Sequence, residues 1–167
     1  YTSVAADTTE ETVTVAEISS FQLETAVEFR PEVSAILNIT PDHLNRHHTM
    51  ENYIAAKESI TKNQTADDIC VLNYEDEVLR EFGAGLQTKV IYFSSARKLE
   101  NGYYLDGTDI CRAVDGKAEH ICNVEELNLL GKHNYENVMA ATAMAAGFGV
   151  PLEKIKEVLV RFQAVEH

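Results

Sequence analysis

The chain of 167 residues contains no tryptophan, only three prolines and only three cysteines. Polar residues interrupt its apolar runs every few positions, so the sequence predicts neither a membrane-spanning helix nor a disordered chain. The cysteines, Cys70, Cys111 and Cys122, are odd in number and show no CxxC spacing. We therefore expect reduced, structural thiols in a cytoplasmic protein.

Positive charge is also scarce, because 14 basic side chains face 27 acidic ones and the net charge is −13. Such a chain repels nucleic acid and anionic membrane, and we expect neither as a partner. Phosphorylated ligands remain possible partners, since metal ions, helix N-termini and backbone N–H groups can supply a local positive field.

Strand-like and helix-like segments alternate along much of the chain. This order predicts an α/β fold with a mostly parallel, Rossmann-like sheet flanked by helices. The predicted strands are 12–18, 33–39, 68–73 and 89–93, and the predicted helices are a short one through 22–24, then 49–62, 75–82, 134–148 and 152–162.

Asn-Gly or Asp-Gly pairs occur at 101–102, 106–107 and 115–116. These dipeptides favour tight hairpin turns, so the sequence predicts a small antiparallel β appendage between residues 101 and 127. We see no internal repeat and no low-complexity segment.

Polar residues that follow the first two predicted strands are the first candidates for a site. In doubly wound sheets ligands bind beyond the carboxyl ends of the strands, which would bring Glu17, Ser19 and the loop 40–43 into one crevice. A carboxylate in that position can bind Mg²⁺ when phosphates complete the coordination shell. A helix cap or a surface charge is the simpler interpretation of Glu17.

Histidines and a lysine in the following segment allow other interpretations. Asp42, His43, His47 and His48 could form a zinc cluster, since imidazole suits Zn²⁺. His43 could equally be a loop imidazole with a single hydrogen bond. Lys57, taken alone, is typical of an exposed helix lysine.

Five segments together resemble the D-glutamate-adding branch of the Mur ligases. These are Glu-Ile-Ser-Ser-Phe-Gln-Leu-Glu at 17–24, Asn-Ile-Thr-Pro-Asp-His-Leu-Asn-Arg-His at 38–47, Tyr-Ile-Ala-Ala-Lys at 53–57, Gly-Lys-His-Asn-Tyr-Glu-Asn at 131–137 and Phe-Gln-Ala-Val-Glu-His at 162–167, whose last four residues lie outside those that the structure describes. The Ser-Ser-Phe-Gln run is similar to this branch rather than to the one that adds diamino acids. Asn45 departs from the family, which commonly has Asp there.

The resemblance implies an ATP-dependent, amide-forming ligase of peptidoglycan synthesis. Its substrates would be UDP-N-acetylmuramoyl-L-alanine, D-glutamate and ATP, with Mg²⁺ as cofactor and an acyl phosphate as intermediate.

It also implies roles for individual residues. Glu17 would bind a Mg²⁺ shared with the ATP phosphates, His43 would hold a second Mg²⁺, and Lys57 would be carbamylated to bind or orient that metal. Ser19 and Gln22 would contact the UDP-sugar substrate. Asn134 and Asn137 would lie at the nucleotide, although Asn134 could instead serve only as a helix N-cap.

The family's phosphate loop, Gly-x-x-Gly-Lys-[Ser/Thr], occurs nowhere in the sequence. We therefore expect residues 1–167 to be part of a central ATP-binding domain, with the P-loop, a UDP-binding domain and a C-terminal domain lying outside it. A P-loop supplies the main anion site for the β- and γ-phosphates, so the chain alone should be inactive. We also expect an uncovered sheet edge that could self-associate.

Three other functions remain open from the sequence. They are another Mur-type or folylpolyglutamate-type ligase, a metal-dependent hydrolase using His43, His47 and His48, and a non-catalytic binding module.

Overall fold

A computed structural model describes residues 5–163 of the chain. Its helices are α1 (Ser20–Glu24), α2 (Leu44–His47), α3 (Met50–Glu58), α4 (Glu77–Gly85), α5 (Lys132–Gly147) and α6 (Leu152–Leu159), with 3-10 turns at Ala5–Asp7, Ser59–Thr61 and Val124–Glu126. Its strands are β1 (Val33–Ile36), β2 (Ile69–Asn73), β3 (Lys89–Ser94), β4 (Gly102–Asp106), β5 (Asp109–Val114) and β6 (Lys117–Asn123).

One six-stranded sheet, in the order β1 to β6, organises the fold. The first four strands run parallel to one another, and β4, β5 and β6 pair antiparallel. The predicted mixed α/β fold is thus confirmed. The antiparallel hairpins continue the parallel sheet directly, because Phe93 and Ser94 of β3 pair with Tyr103 and Tyr104 of β4.

A glycine makes this junction possible. Gly102 has a φ of 130°, and a Cβ atom there would collide with the backbone carbonyl of Tyr92. Only glycine adopts this conformation without strain and leaves room for the neighbouring strand. The Asn-Gly pair read as a turn signal therefore also starts β4 beside β3.

The predicted strand at 12–18 is wrong. This segment forms no strand in the structure, and Val13 and Val15 are 57% and 89% exposed. β-Branched residues form strands only where cross-strand and same-face neighbours cover them, and the described residues provide no neighbouring strand here. Glu17 therefore does not follow a strand.

Helices cover both faces of the parallel part of the sheet. Helix α5 packs on one face through Met139, Ala140 and Ala143, against Val71 and Phe93. Its small side chains allow close approach, and Gly147 lies against Ile69. Helix α4 covers the opposite face with Leu79. The helix predicted at 134–148 is thus confirmed, and it packs on the sheet.

All three cysteines are free thiols and are buried. Desolvation raises the pKa of Cys70 and of Cys122 to about 11, so both are protonated at neutral pH. Buried, protonated thiols are unreactive, which agrees with the structural role expected for these cysteines. Within residues 5–163, no helix is long and apolar enough to cross a membrane.

A buried carboxylate fixes the start of β2. Asp68 is 3% exposed and accepts hydrogen bonds from Arg30 at 2.9 and 3.0 Å and from the backbone N–H of Thr65 at 2.6 Å. The Arg30 hydrogen bond is the largest influence and lowers the pKa of Asp68, although burial acts in the opposite direction.

Replacing Asp68 should lower stability by an amount that depends on pH. We expect Asp68→Asn to lower the free energy of unfolding by about 2 kcal/mol at neutral pH, since charge-assisted hydrogen bonds are lost. A depressed folded-state pKa stabilises the fold above the unfolded pKa, and this contribution is lost as the pH falls through the folded value. Urea unfolding should therefore show the variant and the wild type converging in acid. The exposed neighbour Asp67→Asn is the control, and an equal loss there would contradict the prediction.

Candidate active site at the carboxyl edge of the sheet

The loops after the parallel strands and the start of α5 lie at the same edge of the sheet. Two side chains that sequence reasoning missed hold the loop after β1 in place. Asp76 accepts a 2.7 Å hydrogen bond from the backbone N–H of Ile39, and Asn73 donates a 3.2 Å bond to the carbonyl of Leu37. Asn73 ends β2, and Asp76 lies three residues further on as the N-cap of α4. The candidates predicted from the sequence include strand-end polar residues only after the first two predicted strands.

Ser19 and Gln22 form a capping box at the start of α1. The Ser19 hydroxyl accepts the backbone N–H of Gln22, and the Gln22 side-chain oxygen accepts the backbone N–H of Ser19 at 2.9 Å. The reciprocal bonds satisfy two N–H groups that a helix start leaves free. Both predicted substrate-binding residues are exposed, and the box fixes their positions relative to each other.

His47 has a structural role, which overturns its place in the predicted zinc cluster. The ring is 3% exposed, with Nδ1 3.1 Å from the Glu24 carboxylate and Nε2 2.9 Å from the Ser20 hydroxyl. An ionised carboxylate can only accept, so Nδ1 carries the proton shared with Glu24. The ring also stacks on Phe21, with centroids 5.3 Å apart. His47 therefore joins α1 to α2, and neither nitrogen is left for a metal.

The other two histidines of the segment do not join His47. His43 has a φ of 53° and lies 3.3 Å from the Asp42 carboxylate through Nε2, while His48 is exposed. Among residues 5–163, no three His, Cys, Asp or Glu side chains are grouped to hold a metal ion. The zinc-hydrolase alternative therefore loses its geometric basis.

His43 remains next to α1. Its ring centroid is 4.9 Å from that of Phe21, which lies between the capping-box residues Ser19 and Gln22 in sequence. The side chain is 51% exposed. A positive φ is uncommon outside glycine, and here it orients the start of α2. The imidazole thus borders the same surface as the exposed part of α1.

Lys57 reaches from α3 to the loop after β1. Its amine donates a 3.1 Å hydrogen bond to the Asn38 carbonyl and lies 5.1 Å from the centre of the Tyr53 ring. The side chain is half-buried, unlike the exposed helix lysine that its position alone suggested. Helix α3 begins as predicted, with Thr49 as its N-cap.

Glu17 lies in an irregular segment, two residues before Ser19, the N-cap of α1. Its side chain is exposed and makes no hydrogen bond or ion pair with the rest of the described chain. The carboxylate is therefore available to a ligand. Glu17 is close to Ser19 and Phe21 because it precedes α1 in sequence, and not because it ends a strand.

Asn134 and Asn137 both lie in the first turns of α5. The cap of this helix is Gly131, with a φ of 96°, so Asn134 is not the N-cap that the sequence left open. Asn134 donates a 2.7 Å bond to the Leu130 carbonyl, whereas Asn137 is exposed. Asn134 therefore anchors the loop before the helix.

A network of polar side chains, which was not predicted from the sequence, connects α5 with the loops after β2 and β3. Glu136 accepts a hydrogen bond from Ser95, and Glu75 accepts bonds from Ser94 at 2.6 Å and from Arg97 at 2.9 and 2.8 Å. Burial raises the pKa of Glu75, but the bonds from Arg97 and Ser94 outweigh it and hold the pKa below its ordinary value. Neither a spacing nor a motif in the sequence indicates these long-range partners.

Comparison with known proteins identifies the family to which the chain is similar. The Mur ligase middle domain pattern matches residues 2–145. The whole chain is 54% identical to the UDP-N-acetylmuramoylalanine--D-glutamate ligase of Lachnoclostridium phytofermentans and 55% identical to that of Lachnospira eligens. The chain spans 37% of the length of each of these relatives.

Solved structures share the fold. A UDP-N-acetylmuramoyl-L-alanyl-D-glutamate--2,6-diaminopimelate ligase matches 90% of this chain and 32% of its own, with a TM-score of 0.69 at 21% identity. The UDP-N-acetylmuramate:L-alanyl-gamma-D-glutamyl-meso-diaminopimelate ligase from Neisseria meningitides matches 83% of this chain and 42% of its own, with a TM-score of 0.65 at 22% identity. With the family pattern covering most of its residues and this fold in common, the chain belongs to the Mur ligase middle-domain family.

Proposed function

We propose that the chain is the central, catalytic part of an ATP-dependent ligase that adds D-glutamate to UDP-N-acetylmuramoyl-L-alanine in the cytoplasm. The observation that carries the proposal is the identity of 54% over the whole chain to a relative named for D-glutamate ligation. That similarity favours this branch over a folylpolyglutamate-type ligase. The arrangement of Ser19, His43 and Lys57 around α1 and the loop after β1 supports it.

The proposed reaction has two steps. A carboxylate oxygen of the alanine attacks the γ-phosphorus of ATP, so that an O–P bond forms, the bond to the bridging oxygen breaks and ADP leaves. The D-glutamate amine then attacks the acyl carbon, phosphate leaves and the amine loses a proton. Both steps need positioning and charge neutralisation more than a covalent catalyst from the protein.

The residues of this chain would act chiefly by positioning. The capping box presents Ser19 and Gln22 on exposed α1, where each can also contact the UDP-sugar substrate. Asn137 is free at the start of α5 to contact the nucleotide, while Asn134 keeps the preceding loop in place. The Glu136–Ser95 hydrogen bond would hold this first turn against the sheet edge.

Mg²⁺ prefers oxygen ligands and is commonly held by one or two carboxylates together with substrate phosphates. The unpartnered Glu17 carboxylate fits that requirement, and His43 borders the same surface. When bound, the ion would neutralise charge on the phosphates. A carbamylated Lys57 would present oxygens instead of an amine, and would exchange its bond to the Asn38 carbonyl for contact with a metal.

A segment graft tests the proposal. The segment of the Lachnoclostridium phytofermentans relative that corresponds to this chain should be replaced by residues 1–167. We expect purified graft protein to release phosphate from ATP only when both UDP-N-acetylmuramoyl-L-alanine and D-glutamate are present. A folded graft that accepts a different amino acid, or hydrolyses ATP without one, would overturn the proposal.

The chain alone should bind Mg²⁺-ATP no more tightly than about millimolar, the weak end of the affinity scale. The physical reason is that residues 1–167 contain no P-loop to hold the β- and γ-phosphates. For the same reason we expect Lys57 to be unmodified, which intact-protein mass spectrometry checks. Calorimetry that shows micromolar binding, abolished by Glu17→Ala but not by the exposed Glu125→Ala, would contradict the prediction.

The open edge of β1 should promote self-association of the chain. Strand β1 pairs only with β2 in the described part of the chain, and the neighbouring Leu37 is 38% exposed. Unpaired strand edges are templates for pairing with another copy. Sedimentation should show a dimer whose proportion rises with concentration and falls in Leu37→Lys. An unchanged monomer at high concentration, or an equal effect of Val158→Lys on α6, would contradict this prediction.

A further inference from the structure

A cleft of about 500 Å³ opens at the edge of the sheet opposite the candidate active site. The amino-terminal parts of β3 and β4, the last residues of β5 and the connection from α5 to α6 form its walls. None of the residues assigned to the proposed ligase reaction lines it. The cleft is therefore separate from the site proposed for that reaction.

Arg112 of β5 lines the cleft and is half-buried. Within residues 5–163 its guanidinium makes no hydrogen bond and no ion pair. Glu119 lies opposite it in the β5–β6 register, but the two side chains do not form an ion pair. A partly desolvated cation without a partner is costly, because burial removes the hydration that stabilises its charge. An anion in the cleft would offset that cost.

Tyr103 of β4 also lines the cleft and is only 2% exposed. Its hydroxyl has no hydrogen-bond partner in the described chain, yet it is not sealed in the core, since Thr88 Oγ1 is the one buried side-chain atom there that is both enclosed and unpaired. The hydroxyl is therefore not fully enclosed, and the cleft is a space that its residue lines. Tyr103 pairs directly with Arg112 across the β4–β5 ladder, so both side chains lie on the same face.

Helix α6 adds donors at the same cleft. It begins at Leu152 after Pro151, both of which line the cleft, and no side chain caps its N-terminus. The first N–H groups of a helix lack intrahelical partners and favour negative charge. The remaining walls include the apolar residues Ile91 and Val150, and Ile91 packs in the same core cluster as Tyr103.

We propose that this cleft binds an organic carboxylate with a short apolar chain. The Arg112 guanidinium would donate two parallel hydrogen bonds to the carboxylate, a geometry that this pair of groups favours. The Tyr103 hydroxyl and the α6 N-terminus supply the further donors. The apolar part of the ligand would lie against Ile91 and Val150, as is usual in small-molecule sites with few polar groups.

Titration of the isotopically labelled chain with hexanoate, followed by NMR, tests the proposal. We expect a saturable shift of the Arg112 Nε–H and Leu152 N–H signals, with a dissociation constant of about 1 mM. Hexanol, which lacks the charge, and inorganic phosphate, which lacks the apolar chain, should each bind about tenfold more weakly. Equal binding of either compound would overturn the assignment, as would the absence of any shift with hexanoate.

Variants test how much the side chains of Arg112 and Tyr103 each contribute to hexanoate binding. Arg112→Gln should weaken hexanoate binding about tenfold, whereas the exposed Arg161→Gln should leave it unchanged. Tyr103→Phe, which keeps the ring in the core, should weaken it by about threefold. A folded Arg112→Gln protein, or a folded Tyr103→Phe protein if the former is unstable, that binds hexanoate as the wild type does would overturn the proposal.

Discussion

Replacing Lys57 by alanine in the graft protein should lower kcat by about a hundred- to a thousandfold, the range for losing a group aimed at developing charge. Lys57 is half-buried, contacts the loop after β1 and is the only residue proposed to act through a modified side chain. The KM for each substrate should change far less than kcat. Steady-state assays with each substrate varied in turn give both parameters.

Two further variants identify which property of Lys57 matters. Lys57→Arg keeps the positive charge and the reach to Asn38 but cannot be carbamylated, so it should be as inactive as Lys57→Ala. Lys57→Glu supplies carboxylate oxygens and should recover part of the activity. Lys154→Ala, on the surface of α6, is the matched control. Full activity in Lys57→Arg would contradict the modified-lysine role.

Replacing the buried His47 by alanine should lower the free energy of unfolding of the chain by about 3 kcal/mol. The variant leaves the buried Ser20 hydroxyl without a partner and removes the ring that stacks on Phe21. It also removes one of the two partners of the Glu24 carboxylate, which keeps Arg46. Each loss is of the kind that produces large destabilisation. Urea unfolding followed by circular dichroism measures the change.

The exposed His120→Ala is the control for His47→Ala, because surface substitutions usually change stability by less than about 0.5 kcal/mol. Adding Zn²⁺ should not stabilise the wild-type chain more than the His47→Ala variant. A zinc-dependent rise in stability that disappears in the variant would restore the metal-cluster interpretation of His47.

The regular elements were predictable wherever local pattern and tertiary packing agree. Helix α3 begins within one residue of the predicted start at Thr49, and β2 and β3 occupy the predicted runs, where most of their residues are buried or half-buried on the sheet. The segment 12–18 shows the limit of local pattern. Its alternating Thr and Val residues favour a strand, but strand formation depends on a partner that the described chain does not provide.

Only part of the candidate site could be predicted from the sequence. Short sequence motifs identify candidate residues such as Ser19 and Lys57. The contacts that hold the surrounding loops and helices, however, join residues that are distant in sequence. His47 pairs with Ser20 and Glu24, more than twenty positions earlier, and Glu136 pairs with Ser95. A cluster of histidines in sequence therefore suggested a metal site, while the fold uses one of them to join two helices.

The most direct test of the account follows oxygen through the reaction of the graft protein. UDP-N-acetylmuramoyl-L-alanine labelled with a heavy oxygen isotope in its alanine carboxylate is turned over with ATP and D-glutamate, and the released phosphate is analysed by mass spectrometry. Transfer through an acyl phosphate predicts that each phosphate carries one labelled oxygen from the substrate. Amide product formed with unlabelled phosphate would contradict the account.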